Sequence, residues 1–269
     1  MSGHNVLEWP TGRFVERRDE GSATVIPPPG MEPMTPRAAG SSDLSSVEGP
    51  AEWGPFAPVP LPAHVPIAAD FAYRFTAGGI ELDPSYFATD RTHVAFQGST
   101  EWGEQARFAF HVTSRDWQES DQVLAGLIRD FGSSSDAVVA IGGRGEFDGV
   151  MTGPFRRARV EGTFTGEDVR AWDTTWGAAS GRIVYEDDYI ALTNGIVRRG
   201  DSEIRADGLF SLLAPRPDGR DEIDAKFRVT RRDLASLRHA FQIDEYPLSG
   251  RMSGEFISTA PLWQSHPFA

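Results

Sequence analysis

Two stretches decide the fold: residues 202–210, SEIRADGLF, and residues 223–229, IDAKFRV. In the first, small or apolar side chains such as Ile204 and Phe210 occupy every second position, and charged side chains occupy most positions between them. The second repeats the scheme with Ile223, Phe227 and Val229. A period of two puts alternate side chains on opposite faces of a β-strand. Each stretch is therefore predicted to be a strand with one apolar and one polar face.

The same alternation recurs from residue 66 onward and predicts about ten strands. Turn signals separate the runs and predict short antiparallel connections; they include Gly78-Gly79, Asp83-Pro84, Asp187-Asp188 and Asn194-Gly195. The other apolar positions taken to share a face are Phe71, Tyr73, Phe75, Phe96, Phe108, Phe110, Phe147, Val160, Phe164 and Ile183.

Two segments, 118–131 and 232–241, have the periodicity of short amphipathic helices. Each follows one copy of an internal repeat, because FHVTSRDW at 110–117 matches FRVTRRDL at 227–234 with an offset of 117 residues. The aspartate of each copy, Asp116 or Asp233, is predicted to cap the helix after it. We expect repeat units at about 66–131 and 136–242, with a further unit that starts at 246 and is cut short.

Residues 1–65 differ from the rest of the chain. They hold most of the prolines and show neither the strand nor the helix period. We predict a Pro/Gly-rich linker with at most one strand, near 6–15, followed by a repetitive antiparallel β domain over 66–269.

One apolar and one charged face per strand indicate an antiparallel sheet that is wet on one side. Ten strands of eight residues would cover roughly 26 Å by 48 Å, more than two short helices can hide. The apolar face must then be hidden by closure into a barrel, by stacking as a β-sandwich, or by an apolar ligand in an open groove. The residues alone favour a sandwich or barrel and leave the open groove possible.

Charge and composition exclude several functions. A net charge of −13 opposes nucleic-acid binding, and the absence of Cys removes disulfides and thiolate chemistry.

We find no catalytic set, no cofactor motif and no metal site in the sequence. The stretch 143–149 is predicted to be a glycine-rich strand, Glu186-Asp187-Asp188 a hairpin turn, and His93 and His111 residues on wet strand faces. The basic residues Arg156, Arg157 and Arg159 are expected to pair with nearby acids on the outer face.

The tryptophans keep one alternative function open. Trp102, Trp117, Trp172 and Trp176 could form a stacking platform, in which case the chain would be a closed β-sandwich that binds carbohydrate or serves in adhesion. Tryptophans near strand ends more often fill the margins of a core.

The region 66–258 resembles the repetitive β region of TamB and its AsmA-like relatives. The motifs that carry the resemblance are degenerate one by one, but they come in the family's order. They are a G-x-F-x-G strand ending in Gly-Pro (145–154), an [RV]-x-G-x-F-x-G strand (160–166), a G-x-[IL]-x-Y strand (181–185), an A-x-G-x-F strand end (206–210), a D-L-x-x-L helix start (233–237) and P-[LV]-S-G-x-[ML]-S-G (247–254).

The resemblance implies a long curved antiparallel sheet that forms an open groove (a β-taco) with an apolar interior. It also implies a non-enzymatic function, in which the groove holds phospholipid acyl chains for transport between inner and outer membranes and supports outer-membrane assembly. The expected partners are phospholipid and membrane or outer-membrane assembly proteins. We expect a periplasmic segment of a longer protein anchored in the inner membrane. The residues predicted to line the groove are Phe71, Tyr73, Phe75, Phe96, Phe108, Phe110, Phe147, Val160, Phe164, Ile183, Ile204, Phe210, Ile223, Phe227 and Val229.

Overall fold

The structure is a computed structural model. It describes residues 2–8, 18–35, 65–102, 104–130, 141–171, 174–212, 218–220, 222–240, 245–247 and 249–260. Thirteen strands form one sheet in which every strand pairs antiparallel with its neighbours in the sequence. They are β1 (Ser2–Glu8), β2 (Arg18–Val25), β3 (Ala68–Thr76), β4 (Gly79–Ala88), β5 (Thr92–Thr100), β6 (Ala106–Ser114), β7 (Gly142–Gly153), β8 (Arg159–Ala171), β9 (Thr174–Glu186), β10 (Tyr189–Arg199), β11 (Ser202–Ser211), β12 (Ile223–Asp233) and β13 (Arg251–Ala260).

The sheet is not closed into a barrel. Its strand order runs from β1 to β13, and no second sheet stacks on it within the described residues. The predicted mostly β fold with one long antiparallel sheet is therefore confirmed, and the arrangement is consistent with an open groove. The alternative of a sandwich or barrel is wrong for this part of the chain.

The register of the strands sorts the side chains onto two faces. Val94 pairs with Val112, Val112 with Phe147, and Phe147 with Phe164, and this row defines the apolar face. One residue along, Ala95 pairs with His111 and His111 with Asp148, and this row defines the polar face. Because register is kept from strand to strand, the one-sided sequence alternation becomes a one-sided sheet.

Two helices lie beside the sheet, α1 (Trp117–Asp130) and α2 (Leu234–Ala240). Trp117 and Val123 of α1 pack against the apolar face, where Ala69, Phe87, Val94 and Val112 form a buried cluster. The predicted caps are confirmed: Asp116 Oδ1 accepts a hydrogen bond from Gln118 N at 3.2 Å, and Asp233 Oδ1 accepts one from Ala235 N at 3.2 Å. Both copies of the repeat thus end a strand and start a helix in the same way.

The first turn of α1 is fixed to the sheet by a buried polar network. The carboxylate of Glu119 accepts hydrogen bonds from the hydroxyls of Thr89 and Thr92, the second at 3.2 Å. Ser120 Oγ lies 2.7 Å from Thr92 Oγ1 and 2.6 Å from Ser114 Oγ. Thr89, Thr92 and Ser120 are fully buried, so each hydroxyl depends on these partners rather than on water.

The prediction for residues 1–65 needs correction, because this region contributes two strands instead of at most one. β1 and β2 form a hairpin, and β2 pairs with β3. The strand expected near 6–15 overlaps β1 over residues 6–8, and residues 9–15 lie outside the described residues. β2 is held by backbone hydrogen bonds to β3. Its residues on the apolar face include Gly21 and Ala23, which are small. Such a strand carries no strong apolar alternation.

Two predicted turns are bulges inside strands. Asp83-Pro84 lies within β4, where the register with β5 shifts between Leu82 and Ser85. Asn194-Gly195 lies within β10, where the register with β9 and β11 also shifts. A bulge places one extra residue in one strand and uses the same Gly, Pro and Asn chemistry as a turn. The predicted hairpin turn at Asp187-Asp188 is confirmed, and both residues have positive φ.

Candidate functional site: the apolar face of the sheet

The predicted groove-lining residues all lie on the apolar face. The register pairs Tyr73 and Phe75 with apolar-face residues of β4, and it connects Val160, Ile183, Ile204 and Phe227 through β8 to β12 in the same way. The half-buried members are Phe71, Tyr73, Phe75, Phe96, Phe110, Phe147, Val160, Phe164, Ile183, Phe210 and Phe227, and the buried ones are Phe108, Ile204, Ile223 and Val229. Their common face is thus established, while their contact with lipid remains a prediction.

Aromatic side chains form a discontinuous track along this face. Ring centroids are 5.9 Å apart for Phe71 and Phe96, and 5.5 Å apart for Phe110 and Phe147. Farther along the sheet, Phe210 and Phe227 meet edge to face at 6.2 Å. Contacts of this kind hold the rings in place without covering their outer surfaces.

Glycines opposite the aromatic residues let the rings lie flat on the sheet. A Cβ at Gly149 would lie 2.3 Å from Phe147 Cε1 and 2.8 Å from Phe110 Cζ. A Cβ at Gly162 would lie 2.7 Å from Phe147 Cζ. Gly149, the second glycine of the G-x-F-x-G motif, and Gly162 on the neighbouring strand therefore have a packing reason, since each leaves room for a neighbouring ring.

Protein atoms cover the apolar face in two places. The cluster beneath α1 is the first, and the second contains Ile204 and Val229 with Trp176, Val197, Phe227 and Met252 around them. Ile204 is only 7 % exposed, so no open space lies directly beside it. The predicted hollow is therefore absent at Ile204, whereas Phe164 and Phe227 are half-buried.

The polar face carries paired charges. Arg159 donates to Glu186 at 2.6 Å, Arg157 to Asp187 at 3.0 Å and Arg228 to Glu255. The expectation that Arg157 and Arg159 pair with nearby acids is confirmed. These exposed ion pairs add little stability, but they keep this face hydrated.

His93 departs from its predicted place on a wet strand face, because it is 6 % exposed and its Nδ1 has no hydrogen-bond partner. Tyr86 stacks on its ring at 5.3 Å. Burial, and to a lesser extent the neighbouring His111, lowers the pKa of His93. His111 is half-buried and hydrogen-bonded, with Nδ1 at 2.6 Å from Asp148 Oδ1.

A cavity of about 1080 Å³ lies on the polar face, and sequence reasoning missed it. Tyr86, His93 and His111 line it together with Pro33 and Met34. Met34 N donates to Thr89 O at 2.8 Å, and the Met34 side chain is buried. No sequence period marks the segment around Met34, so only the structure could reveal that it crosses this face.

The tryptophans do not form one platform. Trp117 packs in the cluster beneath α1, Trp176 packs in the cluster around Ile204, and Trp102 stacks on Phe75 at 6.1 Å. Trp172 lies outside the described residues. Within the described part of the chain, no group of three or more His, Asp or Glu side chains could hold a metal ion.

No protein-family model, no curated protein and no solved structure matches this chain. In the described residues, no helix has the length and apolar character that a bilayer-spanning segment requires.

Proposed function

We propose that the chain is a non-enzymatic, lipid-conducting segment whose apolar sheet face holds phospholipid acyl chains. One observation carries the proposal: a single open sheet of thirteen strands gathers its apolar side chains on one face, and within the described residues no second sheet covers that face, which is covered only beneath α1 and around Ile204. Large apolar patches on the surface of a soluble domain mark a place where another apolar surface binds.

The ligand is inferred from the shape and chemistry of this face. Half-buried Phe and Ile side chains recur from β3 to β12, and neighbouring strands are about 4.8 Å apart. Each acyl CH₂ kept from water contributes about 0.8 kcal/mol, so a long apolar track suits an acyl chain better than it suits a compact ligand. Contacts of this type are non-directional, so a chain can shift along the track without a nucleotide-driven step.

The resemblance to the TamB and AsmA-like β region supports the same proposal and adds a setting. We infer that the segment works in the periplasm, within a parent protein anchored in the inner membrane. There it would pass phospholipid between the two membranes and support outer-membrane assembly together with membrane proteins.

Lipid extraction tests this function. The purified protein is extracted with organic solvent, and the extract is analysed for phospholipid by mass spectrometry. We expect phospholipid in a stoichiometric amount. A well-folded sample without phospholipid, which also fails to take it up from vesicles, would contradict the proposal and favour a binding module for another ligand.

A further inference from the structure

The end of the sheet next to α2 carries two arginines on the apolar face. Arg232 pairs with Met252 and is 2 % exposed, which makes it the largest fully buried side chain of the described residues. Arg199 pairs with Ser202 at the end of β10 and is exposed. Within the described residues, no ion pair joins either arginine to an acidic side chain.

The two guanidinium groups meet at one carbonyl. Arg199 Nη1 donates to Thr175 O at 3.0 Å, and Arg232 Nη2 donates to the same oxygen at 3.4 Å. Arg232 Nη1 reaches Trp176 O at 3.5 Å, and its Nε has no partner. The Arg232 guanidinium lies 5.2 Å from the centre of the Trp176 ring. The long hydrogen bonds of Arg232 are weak, so a better acceptor can displace them.

The nearby carboxylates of Asp201 and Asp233 bind groups other than Arg199 and Arg232. Asp201 lies 2.7 Å from Arg251 and 3.7 Å from Arg231. Asp233 caps α2 through Ala235 N. Burial, and next the positive charge of Arg199, lowers the pKa of Arg232, although Asp233 opposes that change. Among the described residues, positive charge thus accumulates at this end without a matching acid.

The first repeat shows that the fold does not need this buried cation. Arg115 occupies the position equivalent to Arg232 and is exposed. The buried ionisable residue of that junction is Glu119, whose carboxylate is satisfied by the hydroxyls of Thr89 and Thr92. A buried guanidinium with long hydrogen bonds and, among the described residues, no acidic partner opposes folding, so its presence at the second junction points to an anion that binds there.

Two buried hydroxyls add hydrogen-bonding capacity at the same end. Within the described part of the chain, Ser202 Oγ and Thr174 Oγ1 have no hydrogen-bond partner. Ser202 faces Arg199 across the β10–β11 hairpin, and Thr174 directly precedes Thr175. Two guanidinium groups and free hydroxyls suit a tetrahedral oxyanion, because arginine donates several hydrogen bonds to one phosphate.

We propose that Arg232 and Arg199 form a binding site for the phosphate of a phospholipid headgroup whose acyl chains lie on the apolar face. Arg199 contacts the headgroup first because its side chain is exposed. Arg232 then gives up its long hydrogen bonds to the carbonyl oxygens of Thr175 and Trp176 and donates to the phosphate oxygens instead. The headgroup assignment rests on the proposed function, whereas the phosphate site itself can be tested alone.

The lipid test uses vesicles of phosphatidylglycerol and phosphatidylcholine in equal amounts. The protein is incubated with them and re-isolated, and its bound lipids are quantified. We expect enrichment of phosphatidylglycerol, against the net charge of −13, and about a tenfold loss of that enrichment in Arg232→Met with total bound lipid unchanged. Arg228→Met is the matched control, since it removes the same charge from the polar face of the same strand. Arg199→Met, an exposed position, provides a second variant if Arg232→Met does not fold.

Binding of inorganic phosphate tests the phosphate site independently of its assignment to a lipid headgroup. We expect phosphate to shift the backbone amide NMR signals of Thr175 and Trp176 in the wild type, and about tenfold weaker binding in Arg232→Met or Arg199→Met. Phosphate binding without any headgroup preference would overturn the lipid assignment and indicate a site for free phosphate. If neither phosphate-induced NMR shifts nor enrichment of phosphatidylglycerol were seen, the arginine site would be overturned. If the wild type carried no bound lipid at all, the proposed function would be overturned instead.

Discussion

Phe164 and Thr163 are adjacent residues on opposite faces of β8, and they give the simplest test of which face binds lipid. Phe164 belongs to the apolar row with Phe147, whereas Thr163 is exposed on the polar row with Asp148. Under the proposed function, Phe164 contacts lipid and Thr163 does not.

Phe164→Glu is expected to lower the amount of bound phospholipid about tenfold or more, because an acyl chain cannot solvate a carboxylate. The matched variant Thr163→Glu adds the same charge one residue away and should bind lipid as the wild type does. Lipid extraction and quantification measure both, with circular dichroism to check the fold. Equal lipid content in the two variants would contradict the assignment of faces.

His93 predicts a pH effect on stability. Its pKa is lowered by burial from the ordinary value of 6.5, so the fold favours the neutral ring. The stability that depends on neutral His93 is therefore complete above the unfolded-state pKa and is lost as the pH falls through the lower folded-state pKa.

Urea denaturation at about pH 7 and about pH 5 measures this effect. The loss of unfolding free energy between the two pH values should be smaller in His93→Phe than in the wild type, because phenylalanine keeps the stacking on Tyr86 without a titrating ring. His4→Phe, at an exposed position, should behave as the wild type. An unchanged loss in His93→Phe would show that the buried ring does not control the pH response.

At the scale of elements, glycines determine how closely the aromatic rings approach the strands. A Cβ at Gly162 would lie 2.1 Å from Asp148 O, so the strands or the Phe147 ring must shift to admit it. Gly162→Ala is expected to lower the free energy of unfolding by about 1–3 kcal/mol. Gly78→Ala is the control, because its Cβ would meet only Thr76 Oγ1 at 3.8 Å, and it should change stability by less than about 0.5 kcal/mol. Chemical denaturation that gave the two variants equal stability would contradict the packing account.

The docking of α1 depends on Glu119. Glu119→Ala removes the acceptor for the buried hydroxyls of Thr89 and Thr92 and should cost about 1–3 kcal/mol in urea denaturation. Glu119→Gln keeps one side-chain oxygen as acceptor and should lose less than half as much stability as Glu119→Ala. If both variants unfolded like the wild type, the network would not hold the helix.

Sequence reasoning succeeded where a periodic signal was long. Most strands from β3 to β13 and the shared face of Phe71, Phe164 and Phe227 follow from a period of two, and the helix caps follow from the repeat. It failed at Asp83-Pro84 and Asn194-Gly195, because bulges and turns use the same residues. It also missed β2, whose pairing depends on backbone groups that every sequence has, and the burial of His93, whose ring stacks on Tyr86 in a cavity that the distant Met34 also lines.

At the scale of the whole molecule, the sheet has two surfaces with opposite chemistry. Ion pairs such as Arg159–Glu186 keep the polar face hydrated, while the apolar face exposes part of its aromatic side chains. Sequential pairing of every strand lets such a surface extend without a deep pocket. Under the proposed function, such a surface would favour passage of an acyl chain over tight capture of a compact ligand.

Photo-crosslinking tests the proposed binding of lipid to the apolar face most directly. The protein is loaded with a phospholipid that carries a photoreactive group in its acyl chain and is irradiated, and the modified residues are mapped by mass spectrometry. The account predicts adducts at apolar-face positions such as Phe147, Phe164 and Phe227, and none at Thr163, Arg182 or Lys226 on the polar face. Adducts concentrated on the polar face, or spread equally over both faces, would contradict it.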